Sequence, residues 1–334
     1  MKAFVLTRYG KKVAPIAMGG IPDPKMLEND VLIEVHAAGV NPLDSKIRDG
    51  EFKLLLSYKP PFILGHELAG TVVKVGGNVK NIKVGDEVYA RPTDHRIGTF
   101  AEFIAVDEKD VALKPKSLTM EEAASIPLVG LTAWQVLIEK AELKKGDKVF
   151  IQAGSGGVGT FAIQLAKSMG ATVATTTSAA NMEFVKSLGA DVVIDYKKEN
   201  FATILKDYDV VINSQDTKTL YKSLGILRKG GRLISISGPP DTRFADELEA
   251  PWLLKMVMFC LSYGVRKKAK KLNVEYSFHF MKSDGKALSE ISTLIDSSII
   301  RPVVDKVFSF DEVNNALNYV QRGHAKGKVV IKVK

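Results

Sequence analysis

Short alternating runs of apolar and polar residues fill the first third of the chain. One run covers residues 31–36, and others cover residues 71–75, 84–89 and 101–106. Glycine, asparagine and aspartate separate these runs, as in the turn at residues 76–78. Alternation of this kind predicts half-buried β-strands, and short strands at such spacing are typical of a compact β-barrel-like domain.

The pattern changes near residue 118, where helical periods begin to alternate with apolar β-runs. Thr119 followed by Glu122 predicts the start of one helix, and a second is predicted around residues 131–141. Further strands are predicted at residues 148–153, 171–176, 192–194, 210–212 and 232–237, with helices at 158–169 and 182–188. Strands that alternate with helices predict a parallel, doubly wound sheet with right-handed crossovers.

β-rich sequence returns at the end of the chain, at residues 302–305 and 328–333. A β-rich domain at both ends with an α/β domain between them indicates an insertion. We therefore predict an α/β fold in which residues 123–265 form a dinucleotide-binding domain. Residues 1–122 and 266–334 then form the catalytic domain.

The composition is that of a globular protein with two cores, since 46% of the 334 residues are hydrophobic and 25% are charged. The N-terminus lacks the apolar stretch of a signal peptide. The most apolar segment, residues 252–265, contains Lys255 and is too short to span a bilayer. These features favour a cytoplasmic protein.

The net charge of +9 raises the question of a nucleic-acid partner. The densest basic run, residues 266–271, has no interleaved aromatic residues, and the chain carries no nucleic-acid reader motif. We interpret the basic residues as a solvated face and expect no nucleic acid. The single cysteine, Cys260, lies in an apolar run, which predicts a small buried hydrophobe.

A glycine-rich turn carries the most specific chemistry. Residues 154–159 read Gly-Ser-Gly-Gly-Val-Gly, between an apolar strand and an amphipathic helix. That context turns a weak motif into a dinucleotide fingerprint, in which glycines permit the tight turn, the approach of pyrophosphate and close packing of helix on strand.

The end of the next strand indicates which dinucleotide is bound. Residues 174–181 contain hydroxyl side chains and no carboxylate, whereas an NAD site normally has Asp or Glu there. Hydroxyl groups can donate hydrogen bonds to a 2′-phosphate, so NADPH is favoured. Residues 174–185 contain no Arg or Lys, and the strength of the preference for NADPH over NADH stays open.

Several ordered motifs extend the argument over the whole chain: residues 39–46, 65–70, 84–89, 126–134, 187–196 and 325–330, together with the glycine turn. With them the chain resembles the medium-chain dehydrogenase/reductase superfamily, and within it the zinc-free quinone oxidoreductases and enone (2-alkenal) reductases. The resemblance implies a GroES-like catalytic domain, an inserted Rossmann domain, NADPH as hydride donor and a homodimer.

The resemblance also bears on metal content. Zinc members place a cysteine ligand at the position of Asn41 and a His-Glu pair at the positions of His66 and Glu67. Because a catalytic zinc needs about three protein ligands, we expect no metal here and regard His66 and Glu67 as structural.

The site residues follow by resemblance. Asn41 and Lys46 are the expected catalytic groups at the nicotinamide end, and Thr132 lies near the cofactor. The remaining expected contacts are with pyrophosphate (Gly154, Gly156, Gly157, Val158, Gly159), the adenosine end (Thr177, Ser178, Tyr196), the nicotinamide (Ile236, Ser237) and either cofactor or substrate (Lys328).

The expected reaction is hydride transfer from NADPH to a quinone or an α,β-unsaturated carbonyl. The proton could come from water, Tyr58 or Tyr263. Two alternatives stay open: an NADPH-binding sensor or nucleic-acid-binding relative without turnover, and an enoyl-thioester reductase. The apolar run at residues 252–259 is expected to cover a substrate site or a subunit interface, with a plain core helix as the alternative.

Overall fold

The computed structural model describes residues 1–10, 16–53, 56 and 58–334. The strands are β1 (Lys2–Leu6), β2 (Ala17–Gly20), β3 (Asp30–Val40), β4 (Phe62–Ile63), β5 (Leu68–Val75), β6 (Glu87–Ala90), β7 (Phe103–Asp107), β8 (Val111–Leu113), β9 (Lys148–Ile151), β10 (Thr172–Thr177), β11 (Val192–Asp195), β12 (Tyr208–Asn213), β13 (Leu227–Ser235), β14 (Glu275–Phe278), β15 (Val304–Ser309) and β16 (Lys328–Lys332). The α-helices are α1 (Pro42–Asp49), α2 (Met120–Ala124), α3 (Pro127–Trp134), α4 (Gly157–Ser168), α5 (Met182–Ser187), α6 (Phe201–Ile204), α7 (Thr217–Ser223), α8 (Thr242–Glu247), α9 (Trp252–Leu272), α10 (Gly285–Asp296) and α11 (Val313–Gln321). A π-helix covers Gln135–Lys140, and short 3₁₀ turns cover Asp94–Arg96, Glu108–Asp110, Ala179–Asn181, Leu224–Ile226 and Phe310–Glu312.

The chain divides into two compact units. The first contains residues 1–131 and 282–334, and the second contains residues 132–281. Both divisions lie later in the chain than the expected bounds at residues 122 and 265. Helix α2 packs on β3 and β5 of the first unit, and β14 pairs with β13 in the second. Such tertiary contacts determine where each compact unit begins and ends, and the local sequence pattern does not predict them.

The first unit is built on a sheet of order β15-β16-β3-β5-β6-β8, with β7 also paired to β3. Its long central strand β3 alternates as predicted, because Val31, Ile33 and Val35 are at most 1% exposed while the residues between them are half-buried. The last strand, β16, pairs antiparallel with β3. The two β-rich ends of the chain therefore form one sheet, and the predicted insertion is confirmed.

The second unit is a parallel sheet of order β11-β10-β9-β12-β13-β14. Phe150, Val211 and Leu233 are fully buried in its core, as expected for strands covered on both faces. The predicted doubly wound fold is confirmed. The strand order reverses between β9 and β12, and in such sheets ligands bind beyond the carboxyl ends of the strands at that point.

Two helix predictions have different outcomes. The predicted N-terminus of α2 is confirmed, since Thr119 and Glu122 form a capping box. The helix expected at residues 131–141 instead begins at Pro127, a residue suited to the first helical position. Its second half is a π-helix, in which the N–H of Ala141 donates to the carbonyl of Val136 at 2.9 Å.

Helix α9 corrects two predictions. Cys260 was expected to be buried, but it is exposed, and the plain core-helix interpretation of residues 252–259 is wrong. The buried positions of α9 form one narrow stripe: Met258, Ser262, Val265 and Ala269. An apolar run predicts burial only if a partner covers every face, and α9 packs by one face alone. No helix in the described part of the chain is long and apolar enough to cross a membrane.

Candidate functional site

The glycine turn opens helix α4 in the second unit. Gly156 is the N-cap residue, with extended backbone, and as a glycine it has no side chain with which to cap the helix. Gly157, Val158 and Gly159 form the first turn, so the helix itself supplies no carbonyl partner for their N–H groups. An uncapped N-terminus with a partial positive charge suits a pyrophosphate group.

Two of these glycines are required by close packing. A Cβ on Gly154 would lie 2.2 Å from Oγ1 of Thr175, and one on Gly159 would lie 2.4 Å from the carbonyl oxygen of Ala153. Gly156 has more room, since its Cβ would meet only that same carbonyl oxygen, at 3.4 Å. The turn therefore packs closely against its neighbours at Gly154 and Gly159 and leaves space at Gly156. This arrangement fits a dinucleotide.

The expected adenosine contacts lie close to the glycine turn. Thr177 ends β10 and donates its hydroxyl proton to Oγ of Ser155 at 3.0 Å. The N–H of Tyr196 donates to the carbonyl of Thr177 at 3.2 Å, and the Tyr196 side chain is exposed. Ser178 is half-buried at the start of a 3₁₀ turn. The structure thus groups these residues at the ends of β10 and β11.

A buried series of hydrogen-bonded polar side chains, called the polar chain below, lies at the point where the strand order reverses. The side-chain amide of Asn213 donates to Gln152 at 2.8 Å, and the Ser235 hydroxyl donates to Asn213 at 2.6 Å. Gln152 in turn donates to the hydroxyl of Ser223 at 2.7 Å. Sequence reasoning missed this chain, although polar residues at the ends of three neighbouring apolar strands are a detectable signal.

The polar chain fixes the segment expected to flank the nicotinamide. The N–H of Ile236 donates to the carbonyl of Asn213 at 2.9 Å. The Ser237 hydroxyl donates to the carbonyl of Gln215 at 2.7 Å. Thr132, the first residue of the second unit, is buried near the end of α3.

In the first unit, the expected site residues Asn41 and Lys328 meet in a buried ionic cluster around Glu67. Nζ of Lys328 donates to Glu67 Oε1 at 2.7 Å, to Asn41 Oδ1 at 2.6 Å and to the carbonyl of Val40 at 3.1 Å. The Asn41 amide donates to the same Glu67 oxygen at 2.7 Å. All three side chains are nearly inaccessible. Lys328, expected to reach cofactor or substrate, is held inside the unit by these contacts.

Glu67 is the hub of this cluster, and two further features hold it in place. Its second carboxylate oxygen accepts the N–H of Leu128 at 2.7 Å, in the first turn of α3, where the helix dipole favours negative charge. A Cβ on Gly39 would lie 2.4 Å from Oε1 of Glu67, so only glycine leaves room there. Sequence reasoning left Glu67 as a structural residue without partners.

A second buried pair adjoins the cluster. Nδ1 of His66 lies 2.6 Å from Oδ1 of Asp44, and neither side chain is exposed. The other oxygen of Asp44 accepts the N–H of Asn41 at 2.7 Å. Nε2 of His66 is buried and has no hydrogen-bond partner among the described residues. Lys46, on α1, is exposed.

The two tyrosines named as proton donors differ in environment. The Tyr58 hydroxyl donates to the carbonyl of Asp94, and burial raises the pKa of Tyr58 far above its usual value. Both features disfavour proton donation by Tyr58. Tyr263 lies exposed on α9.

The residues at the zinc position do not fit a zinc ion. Among residues 1–10, 16–53, 56 and 58–334, no group of three or more His, Cys, Asp or Glu side chains is placed to hold a metal. Asn41 offers an amide whose oxygen already accepts from Lys328. His66 offers Nε2, which is one ligand where a catalytic zinc needs about three.

Comparisons with known proteins extend over the whole chain. Residues 27–116 match the alcohol dehydrogenase GroES-like domain, residues 188–331 match the zinc-binding dehydrogenase family, and residues 136–217 match the C-terminal domain of alanine dehydrogenase/PNT. The first of these matches confirms the GroES-like domain that the sequence implied.

Relatives and solved structures match at full length. The chain is 35% identical to a mitochondrial NAD(P)H oxidoreductase of Danio rerio, over 100% of this chain and 91% of that protein. It is 36% identical to a chloroplastic NADPH-dependent alkenal/one oxidoreductase of Arabidopsis thaliana, over 99% of this chain and 79% of that protein. The quinone oxidoreductase from Coxiella burnetii superposes with a TM-score of 0.85 at 31% identity, over 100% of this chain and 99% of the other.

Proposed function

The chain belongs to the medium-chain dehydrogenase/reductase superfamily, in its group of quinone oxidoreductases and alkenal/one reductases, and on that premise we propose an NADPH-dependent reductase of quinones or α,β-unsaturated carbonyls. The observation that carries the proposal is the open glycine turn at the uncapped end of α4. It lies on a sheet whose strand order reverses beside it. The relatives named as NAD(P)H oxidoreductase and alkenal/one oxidoreductase support the same reaction class.

Each part of the turn region has a binding role in this proposal. The N–H groups of Gly157 and Val158 hold pyrophosphate, and the Ser178 hydroxyl donates a hydrogen bond to the 2′-phosphate. Thr177 lies beside this position, with its own hydroxyl proton donated to Ser155. The end of β10 carries no carboxylate to repel that phosphate, which supports NADPH over NADH. When bound, NADPH supplies the hydride for the acceptor.

The first unit supplies the groups that act on the acceptor. The ammonium of Lys46 is exposed at α1 and is the proposed donor to the oxygen that gains negative charge during reduction. The Asn41 amide has two N–H donors, and Glu67 accepts one of them at 2.7 Å. The second is the proposed donor to the acceptor oxygen, and because Asn41 is 2% exposed this role requires its side chain to be uncovered when substrate binds. Lys328 acts as a positioning residue that orients Asn41.

The reaction is proposed to need no zinc, because the residues at the zinc position engage one another. The Asn41, Glu67 and Lys328 side chains share hydrogen bonds of 2.6–2.7 Å. Stabilisation of the developing oxyanion then falls to hydrogen-bond donors rather than to a Lewis acid.

The proposed assembly is a homodimer, and the proposed location is the cytoplasm. Within the described chain, β14 is an edge strand of its sheet, and an unpaired edge can accept a second copy. Light scattering of the purified chain measures the subunit number, and cell fractionation tests the location.

The decisive experiment is anaerobic, metal-free NADPH oxidation against a panel of quinones, enones and enals, with NADH in parallel. Saturable turnover with one acceptor class is the expected result. Lys46→Met should lower kcat by about 10²-fold, the lower end for a lost positioned donor, while Lys74→Met, at an exposed site on β5, leaves it unchanged.

Two results would overturn parts of the proposal. Tight NADPH binding without turnover of any acceptor would identify a binding or sensor protein. Unchanged turnover in Lys46→Met would remove Lys46 from the mechanism and leave the reductase assignment standing.

A further inference from the structure

The exposed surface of helix α9 differs from that of an ordinary surface helix. Large apolar side chains cover the solvent side of its first three turns, with Trp252 at 73% and Leu261 at 60% exposed. The members of this apolar surface that carry the argument are Trp252, Leu253, Met256, Phe259, Leu261 and Tyr263.

The apolar surface is as large as the largest patches that monomers usually leave in water, which are often functional. Its three aromatic side chains are 73%, 45% and 52% exposed, and since each aromatic ring offers roughly 150–250 Å², they alone expose on the order of 300 Å². The aliphatic and thioether side chains add to this. Exposed patches larger than a few hundred Å² mark protein or membrane interaction sites.

The last two turns of the same helix are basic. Arg266, Lys267, Lys268, Lys270 and Lys271 fall within six residues, and the sequence of α9 contains no Asp or Glu. Asp246 of α8 binds Lys255 of the apolar half at 2.6 Å. The surface of α9 is therefore apolar at one end and cationic at the other.

Aromatic rings and cations meet where the two halves join. The guanidinium of Arg266 lies 4.4 Å from the ring centroid of Phe259, and Nζ of Lys267 lies 5.8 Å from that of Tyr263. Aromatic side chains next to Lys and Arg are the combination found where helices lie in the interfacial layer of a membrane.

We propose that α9 binds the surface of an anionic lipid membrane. The apolar side chains of the first three turns enter the interfacial layer, and the exposed cations Lys267, Lys270 and Lys271 contact lipid phosphates and carboxylates. The stripe of Met258, Ser262, Val265 and Ala269 keeps the helix packed on its own unit. The chain thus lies on the membrane without crossing it.

Charge favours a lipid surface over a second copy of the chain as the occupant. A twofold contact presents the same patch on both partners, so two cationic helices without a single carboxylate would face each other. A membrane containing phosphatidylserine supplies negative charge and an apolar layer side by side.

The test is sedimentation of the full-length protein with vesicles. The expected result is binding to vesicles of equal amounts of phosphatidylcholine and phosphatidylserine, and at least ten-fold weaker binding to phosphatidylcholine alone. The variants Trp252→Ser/Leu253→Ser and Lys270→Glu/Lys271→Glu should each weaken binding at least ten-fold. NADPH turnover with a water-soluble quinone should stay unchanged.

Matched controls alter the same residue types elsewhere. Val84→Ser changes an exposed apolar residue, and Lys74→Glu/Lys286→Glu reverses two exposed cations in the first unit. These should bind vesicles like the wild type, apart from a small effect of net charge. Absence of binding, or equal effects of α9 and control variants, would overturn the proposal. Conversion of a dimer to a monomer by Trp252→Ser/Leu253→Ser would overturn it too, because α9 would then be a subunit interface.

Discussion

Replacement of Lys328 by methionine should destabilise the first unit far more than the loss of a surface lysine. The ammonium group makes three hydrogen bonds, at 2.6, 2.7 and 3.1 Å. Lys328 is 6% exposed in its side chain and its partner Glu67 is fully buried. Removal of the lysine leaves a buried carboxylate without its counter-charge, which costs about 3–5 kcal/mol.

The same strand offers a matched control. Lys332, also on β16, forms an ion pair with Glu121 at 3.2 Å, but its side chain is 57% exposed. Loss of an exposed pair costs about 0–1 kcal/mol. Urea unfolding followed by circular dichroism compares the two, and with a denaturant slope of about 2 kcal/mol per molar, Lys328→Met should lower the midpoint by roughly 2 M.

A double variant separates the charge effect from loss of packing. Lys328→Met with Glu67→Gln removes both charges, so it should recover at least half of the stability lost in Lys328→Met. The reasoning is refuted if Lys328→Met and Lys332→Met shift the urea midpoint equally. It is also refuted if adding Glu67→Gln to Lys328→Met lowers the free energy of unfolding further instead of restoring part of it.

Three further predictions concern the turn, the cofactor and acid stability. Gly154→Ala should weaken NADPH binding at least ten-fold in a fluorescence titration, because the added Cβ would lie 2.2 Å from the side-chain oxygen of Thr175. The control Gly225→Ala should bind NADPH normally, because a Cβ at Gly225 has no neighbouring atom within 4 Å. Ser178→Asp should shift the ratio of kcat/KM values from NADPH toward NADH at least ten-fold, because a carboxylate repels the 2′-phosphate and accepts a ribose hydroxyl. Burial raises the pKa of Asp30, but the hydrogen bonds from Arg96, the hydrogen bond from the Leu27 N–H and the charge of Arg96 together outweigh it and hold that pKa below the ordinary value. The pair's stabilisation is therefore complete above the ordinary aspartate pKa and is lost as pH falls through the lowered one. Urea unfolding across the acidic range should show this loss in the wild type, and Arg96→Met should make it smaller, leaving the part that the Leu27 N–H supplies.

The features that were predicted correctly from the sequence depend on residues close to one another in the chain. The glycine turn, the capping box of Thr119 and the alternation of β3 each depend on residues within a few positions of one another. Their structural consequences follow from backbone geometry, so no knowledge of distant partners is needed.

The features that the sequence missed depend on distant partners. Lys328 meets Glu67 across 261 positions, and the Leu128 N–H meets the same carboxylate across 61. The burial of Lys328 follows from its contact with Glu67. The exposure of Cys260 was missed for the opposite reason, since apolar neighbours in sequence do not show whether the fold covers them.

The buried cluster of the first unit bears directly on the chemistry. In a zinc enzyme of this superfamily, the positions of Asn41 and His66 would present ligands to a cation. Here the ammonium of Lys328 lies 2.6 Å from Asn41 and 2.7 Å from Glu67, so a side chain of the protein supplies the positive charge. His66, whose Nδ1 lies 2.6 Å from Asp44, offers one ligand through Nε2, where a catalytic zinc needs about three. The three hydrogen bonds of Lys328 engage all of its ammonium protons inside the unit. Reactions that need only hydrogen-bond donors at the acceptor oxygen, such as reduction of a conjugated carbonyl or a quinone, are the ones this arrangement supports.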